Sequence, residues 1–98
     1  MNKNLTTGRK VVLKEMSYDE MDACKDVQKF GTTSDGSTVV YNFHKSITTW
    51  IRKGLAGGEF KSKINGSVPD SVLKELTEAE KLELVELIKN YKQLYYHL

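Results

Sequence analysis

One cysteine, one proline and one tryptophan are present among 98 residues. A lone Cys24 excludes an internal disulfide and, with no sulfur ligand but methionine beside it, reads as a small buried side chain. His44 and His97 are far apart and outside helical reach of any cysteine or paired carboxylate, so the chain holds no metal set of known spacing. The glycines at 54, 57 and 58 lack the Gly-Lys-Ser/Thr ending of a phosphate loop, and no Ser-His-Asp grouping can be assembled. No apolar run approaches the ~18 residues of a spanning helix, and no signal-peptide pattern is visible. These gaps imply a non-enzyme with no cofactor and no membrane contact, expected in the cytosol.

Charged residues make up 29% of the chain and hydrophobic ones 39%, which favours a folded domain over disorder. The net charge of +2 divides into blocks of +4 (1–14), −3 (15–30), +3 (31–66) and −2 (67–98). A strong nucleic-acid binder carries a larger and less diluted basic excess.

The periodicities predict a mainly α protein, a small helical domain with a short N-terminal β-strand. Residues 1–8 read as a flexible polar tail and 9–98 as a single domain with a loop at 31–37 and a glycine-rich link at 56–68. Within RKVVLKEM, at 9–16, Val11 and Leu13 alternate with Val12 and Lys14 as a strand does. Its pairing partner would be TVVYNF at 38–43 or EFKSKI at 59–64; otherwise its edge is free for another molecule. Ser17 and Glu20 have the spacing of a capping box and start a helix over about 18–30, with Met21, Cys24, Val27 and Phe30 on its apolar face.

Val39, Val40, Phe43, Ile47, Trp50, Ile51 and Leu55 recur with the helical period, predicting a helix over 40–55 whose core includes Trp50, Phe43, Ile47, Ile51, Leu84 and Ile88. Its β-rich start, TVVY, leaves a second reading in which the helix begins as late as Ser46. A short helix at 69–75 follows Pro69. A second capping box, Thr77 with Glu80, opens a helix over 78–96. There the acids at 78, 80, 83 and 86 interleave with lysines at 81, 89 and 92, which reads as a salt-bridged outer face. Leu84, Leu87, Tyr91, Leu94 and Leu98 form one apolar line of that helix, and Val85, Ile88 and Tyr95 a second. Either this wide face packs wholly inside the small fold, or part of it is a partner-binding or homo-oligomer surface on Leu84, Leu87, Tyr91, Leu94, Tyr95, Tyr96 and Leu98. A second reading is nucleic-acid binding, through Lys45, Arg52, Lys53, Lys61 and Lys63 with Trp50 and Tyr41.

VVLKEMSYDEMDACKDV, at 11–27, resembles the opening of the small tail assembly chaperones of tailed bacteriophages, a Val-x-Leu-Lys-Glu strand followed by a capped, acidic first helix. WIRKGLAGG at 50–58 and LKELTEAEKLELVELI at 73–88 are similar to later helices of that family. The chain departs from it in the loop at 31–37 and in the glycine-rich link. The resemblance implies a mostly helical, non-enzymatic protein of the host cytoplasm, often oligomeric, that keeps the tape-measure protein soluble and recruits tail-tube subunits. The alternative is a small phage-encoded protein that binds nucleic acid or inhibits a host defence.

Overall fold

A computed structural model describes the backbone of residues 1–96 and the side chains of residues 1–91. In chain order it contains β1 (Asn2–Asn4), β2 (Lys10–Leu13), α1 (Tyr18–Val27), β3 (Lys29–Thr32), β4 (Thr38–Tyr41), α2 (Phe43–Gly54), β5 (Leu55–Gly58), α3 (Asp70–Glu75) and α4 (Glu78–Tyr96). The expectation of a mainly α domain is therefore corrected: this is an α/β mixture with two small antiparallel sheets.

The first sheet has the order β1-β2-β5, so the strand expected at the N-terminus lies between two partners. Val11 and Leu13 of β2 point into the core while Lys10 is exposed, the alternation that a half-buried strand requires. Neither proposed partner of β2 pairs with it. β5 takes that place, with Gly57 opposite Val12 and Gly58 opposite Val11. The glycines allow the approach: a Cβ on Gly58 would lie 2.5 Å from the carbonyl oxygen of Lys10, and its φ of +144° is strained for any other residue. The expected link at 56–68 thus begins as an edge strand.

The flexible tail expected at 1–8 is also corrected. Asn2–Asn4 pairs with β2, Leu5 is buried, and the Leu5 N–H donates to the Arg9 carbonyl at 2.8 Å to close the turn. β1 is exposed along its whole length, so backbone hydrogen bonds rather than a hydrophobic pattern define it. Residues 31–37, expected as a loop, form the end of β3 and the turn to β4. There Asp35 accepts from the Thr33 hydroxyl and from the Ser37 N–H, bonds that hold its carboxyl down to about 2.

Both capping boxes are formed, at Ser17 with Glu20 and at Thr77 with Glu80. α1 ends at Val27 rather than near Phe30, and α2 begins at Phe43 rather than 40, leaving Lys29–Thr32 and Thr38–Tyr41 to pair as a hairpin. The core gathers Val11, Leu13, Met16, Met21, Cys24, Ile47, Trp50, Ile51, Leu55, Val68, Val72, Leu76, Leu84, Val85 and Ile88. Phe43, expected in that core, is 45% exposed.

Glu80 corrects another expectation. It is 4% exposed rather than part of a solvated face, because its carboxylate accepts from the Thr77 N–H at 3.0 Å, the Thr7 hydroxyl at 2.8 Å and Arg9 Nε at 3.0 Å. Arg9 in turn donates to the Glu59 carbonyl at 2.7 Å and lies 5.1 Å from the Phe60 ring centroid. One charge pair joins the β1–β2 turn, the chain after β5 and the start of α4.

The Thr77 backbone bond is the largest influence lowering the Glu80 pKa, with Thr7 and Arg9 acting in the same direction against burial. Glu20 is lowered by the Ser17 backbone bond first. A lowered folded-state value means that these carboxylates stabilise the fold above their ordinary value of 4.5, and that the contribution is lost as pH falls through the folded value. Urea titrations should therefore show stability falling below about pH 4.5, with a shallower fall in Glu80→Gln. Glu80→Ala, which removes the cap and leaves Arg9 without its carboxylate, should cost roughly 2–4 kcal/mol at neutral pH. Gly54→Ala should also destabilise. The new Cβ would lie 2.6 Å from Cγ2 of Ile88, a residue 1% exposed with nowhere to retreat, and a net loss of about 1–2 kcal/mol is expected by thermal or chemical unfolding.

Candidate partner-binding site

Four of the exposed large apolar side chains lie on the β3–β4 hairpin and its junction with α2, while Met1, Tyr18 and Leu82 are exposed elsewhere. Phe30 is 69% exposed, Tyr41 53%, Phe43 45% and Val40 44%. Register explains their layout: Phe30 stands opposite Val40, so both lie on one face of the hairpin. On the other face the Tyr41 ring crosses Gly31, where a Cβ would approach its Cε2 to 2.7 Å. Glycine here opens the space the ring occupies.

The hairpin is tied to the helices at both ends. α1 gives way directly to β3, and Asn42, between β4 and α2, adopts the left-handed conformation at φ 60° and ψ 32°. Asparagine tolerates this better than most residues, and its side-chain amide donates to the Val27 carbonyl at the end of α1, at 3.2 Å. The Ser46 N–H donates to the Asn42 carbonyl at 2.9 Å and starts α2.

Beneath the hairpin a half-open groove of about 290 Å³ runs between α1, α2 and α4. Met21, Cys24 and Trp50 form its apolar floor, all less than 10% exposed, and Phe30 stands at its side. Lys25, Gln28, Ser46 and Lys89 complete the lining, with the Lys89 ammonium 5.4 Å from the Trp50 ring centroid. Burial pushes the Cys24 thiol up to about 11, so at neutral pH it is a protonated, soft apolar surface rather than a nucleophile.

The site residues expected on α4 are distributed differently. Leu84 is fully buried, as expected of the core around Trp50, and is therefore not part of the surface also expected on α4. Leu87 and Tyr91 are partly buried against that core. The side chains of Leu94, Tyr95, Tyr96 and Leu98 lie outside the described residues. Phe30, Val40 and Phe43 were not expected at a surface site, since a helical reading of 18–30 and 40–55 places them on buried stripes, while Tyr41 was expected at a surface only in the nucleic-acid reading. The β-rich TVVY was the signal for a strand, and the second reading of that segment, in which the helix starts later, is the one the structure follows.

Two members of the expected basic and aromatic set are already engaged in the fold. Trp50 is buried and cannot stack on a base, and Arg52 is held by the Val68 carbonyl and by Asp70. Among the described residues no group of three or more His, Cys, Asp or Glu side chains could hold a metal ion, and no helix is long and apolar enough to cross a membrane.

Trp50 and Phe30 border the same groove yet should respond oppositely to truncation. Trp50→Ala is expected to cost about 3–5 kcal/mol in chemical denaturation, as for a buried aromatic. Phe30→Ser, at an exposed position, should remain within about 0.5 kcal/mol of the parent.

Compared with known proteins, the chain matches no family model, no curated protein and no solved structure.

Proposed function

We propose that this protein is a non-enzymatic binding module that covers an apolar surface of another protein, as an assembly chaperone does. The observation that carries this reading is the grouping of Phe30, Val40, Tyr41 and Phe43, all large and at least 44% exposed, on one hairpin and its junction with α2. Apolar residues scattered singly on a surface are ordinary, whereas four on one short hairpin and its junction, Phe30 and Val40 on one face and Tyr41 on the other, with Phe30 bordering a groove, support an interaction site. The resemblance of 11–27, 50–58 and 73–88 to phage tail assembly chaperones narrows the reading: the client would be a tape-measure or tail-tube subunit, met in the host cytoplasm. The exposed residues of the hairpin support a contact there, while Leu84 of the α4 surface is in the core.

Nucleic-acid binding is the weaker reading, because the tryptophan that would stack on a base is in the core and Arg52 is already engaged. The two readings separate on salt. Apolar docking changes little with ionic strength, while phosphate contacts weaken steeply.

The test is co-expression with the tape-measure and tail-tube proteins of the genome that encodes the chain. The parent should keep one of them soluble in a complex that survives raised salt, and Phe30→Ser/Tyr41→Ser, still folded by circular dichroism, should lose most of that complex. Failure of the parent to form a complex with either protein, or full retention by the double variant, would overturn the proposal.

A further inference from the structure

The groove under the hairpin has a chemical character that defines its occupant. Its floor of Met21, Cys24 and Trp50 is apolar, and two of its lining residues, Lys25 and Lys89, are cations while none is an acid. Among the described residues neither lysine has a carboxylate partner, in contrast to Lys14 and Lys81, which are paired with Glu20 and Glu78. Lys53 adds positive potential at Cys24, while the nearby Glu20 is already occupied by Lys14. At about 290 Å³ the space is at the lower limit of a small-molecule pocket, roughly 300 Å³, and suits one large side chain better than an extended ligand.

We propose that this groove seats a single aliphatic or aromatic side chain from an acidic segment of the protein partner, whose flanking carboxylates meet Lys25 and Lys89. Charge complementarity carries the choice of partner: a basic segment would place like charges against both lysines, and a neutral apolar one would offer them no counter-charge. Phe30, largely exposed at the groove's side, would close over the inserted side chain. The proposal rests on the protein-binding reading and specifies which kind of surface is bound.

Trp50, the single tryptophan, lies on the floor and reports occupancy through its emission. The probe is a short peptide with a central phenylalanine flanked by aspartates, titrated into the full chain at low salt. Two controls carry lysines in place of the aspartates, or alanine in place of the phenylalanine. A saturable emission change is expected with the acidic peptide, with affinity about tenfold or more above that of the lysine-flanked control and a difference that shrinks as salt rises. Lys25→Glu/Lys89→Glu, checked for folding, should reverse the preference, and Lys25→Glu alone should reduce it if the double variant does not fold.

Equal binding of the acidic and basic peptides, or equal binding of the alanine peptide, would overturn the proposal, as would no saturable change with any of them. The co-expression result distinguishes the two levels. If the hairpin variant loses its client while the acidic peptide fails to bind, this inference falls and the protein-binding reading stands. If the hairpin variant keeps its client in full, the protein-binding reading falls.

Discussion

The ion pair between Arg9 and Glu80 is the constraint on which the assembly of the two halves depends. A buried carboxylate is costly unless its lone pairs are met, and Glu80 meets them with a helix cap, a hydroxyl and a guanidinium drawn from opposite ends of the chain. The same guanidinium reaches the carbonyls of Glu59 and Glu75, so the first turn, the chain after β5 and the end of α3 are fixed by one side chain. Thr6 extends the seam by donating from its N–H and hydroxyl to Glu83, one turn further along α4. The small sheet that brings Val11, Leu13 and Leu55 to the core is held this way against the helix that supplies Leu84, Val85 and Ile88.

Close approach is the second organising device. Gly54 lets α2 lie against Ile88 of α4, and Gly58 lets β5 reach the backbone of β2. Three residues lie between these glycines, so the chain leaves a helix and becomes a strand while passing two tight contacts. The Leu55 N–H, bonded to the Ile51 carbonyl, marks the point of transition, and the Leu55 side chain is buried.

The helices were legible where local chemistry defines them. Ser17 with Glu20 and Thr77 with Glu80 mark helix starts through bonds only three residues long, and Ile47, Trp50 and Ile51 keep a helical period. Of the strands only β2 was read outright, with Thr38–Tyr41 left open between strand and helix, and the others escaped for different reasons. Asn2–Asn4 buries no side chain, Leu55–Gly58 looks like a helix stop followed by a link, and Thr38–Tyr41 runs into a true helix whose period extends back over its valines. Strand pairing is a long-range choice that such segments do not announce. The candidate site was missed by the same route, because Phe30 and Phe43 fit buried helical stripes until the hairpin turns them outward. Glu80 shows the converse: its capping role was readable at short range, but its burial depends on Thr7 and Arg9, more than seventy residues away.

Asn42 has a consequence for rates. With its backbone in the left-handed region and its amide bonded to the Val27 carbonyl, it ties the hairpin to α1 and α2. For the binding proposed above, a surface organised in advance would need no slow rearrangement on encounter, and association would fall in the ordinary docking range of about 10⁵–10⁷ M⁻¹s⁻¹. Residence time would then be the adjustable quantity, and the proposed chaperone would hand over a client by changing how fast it lets go.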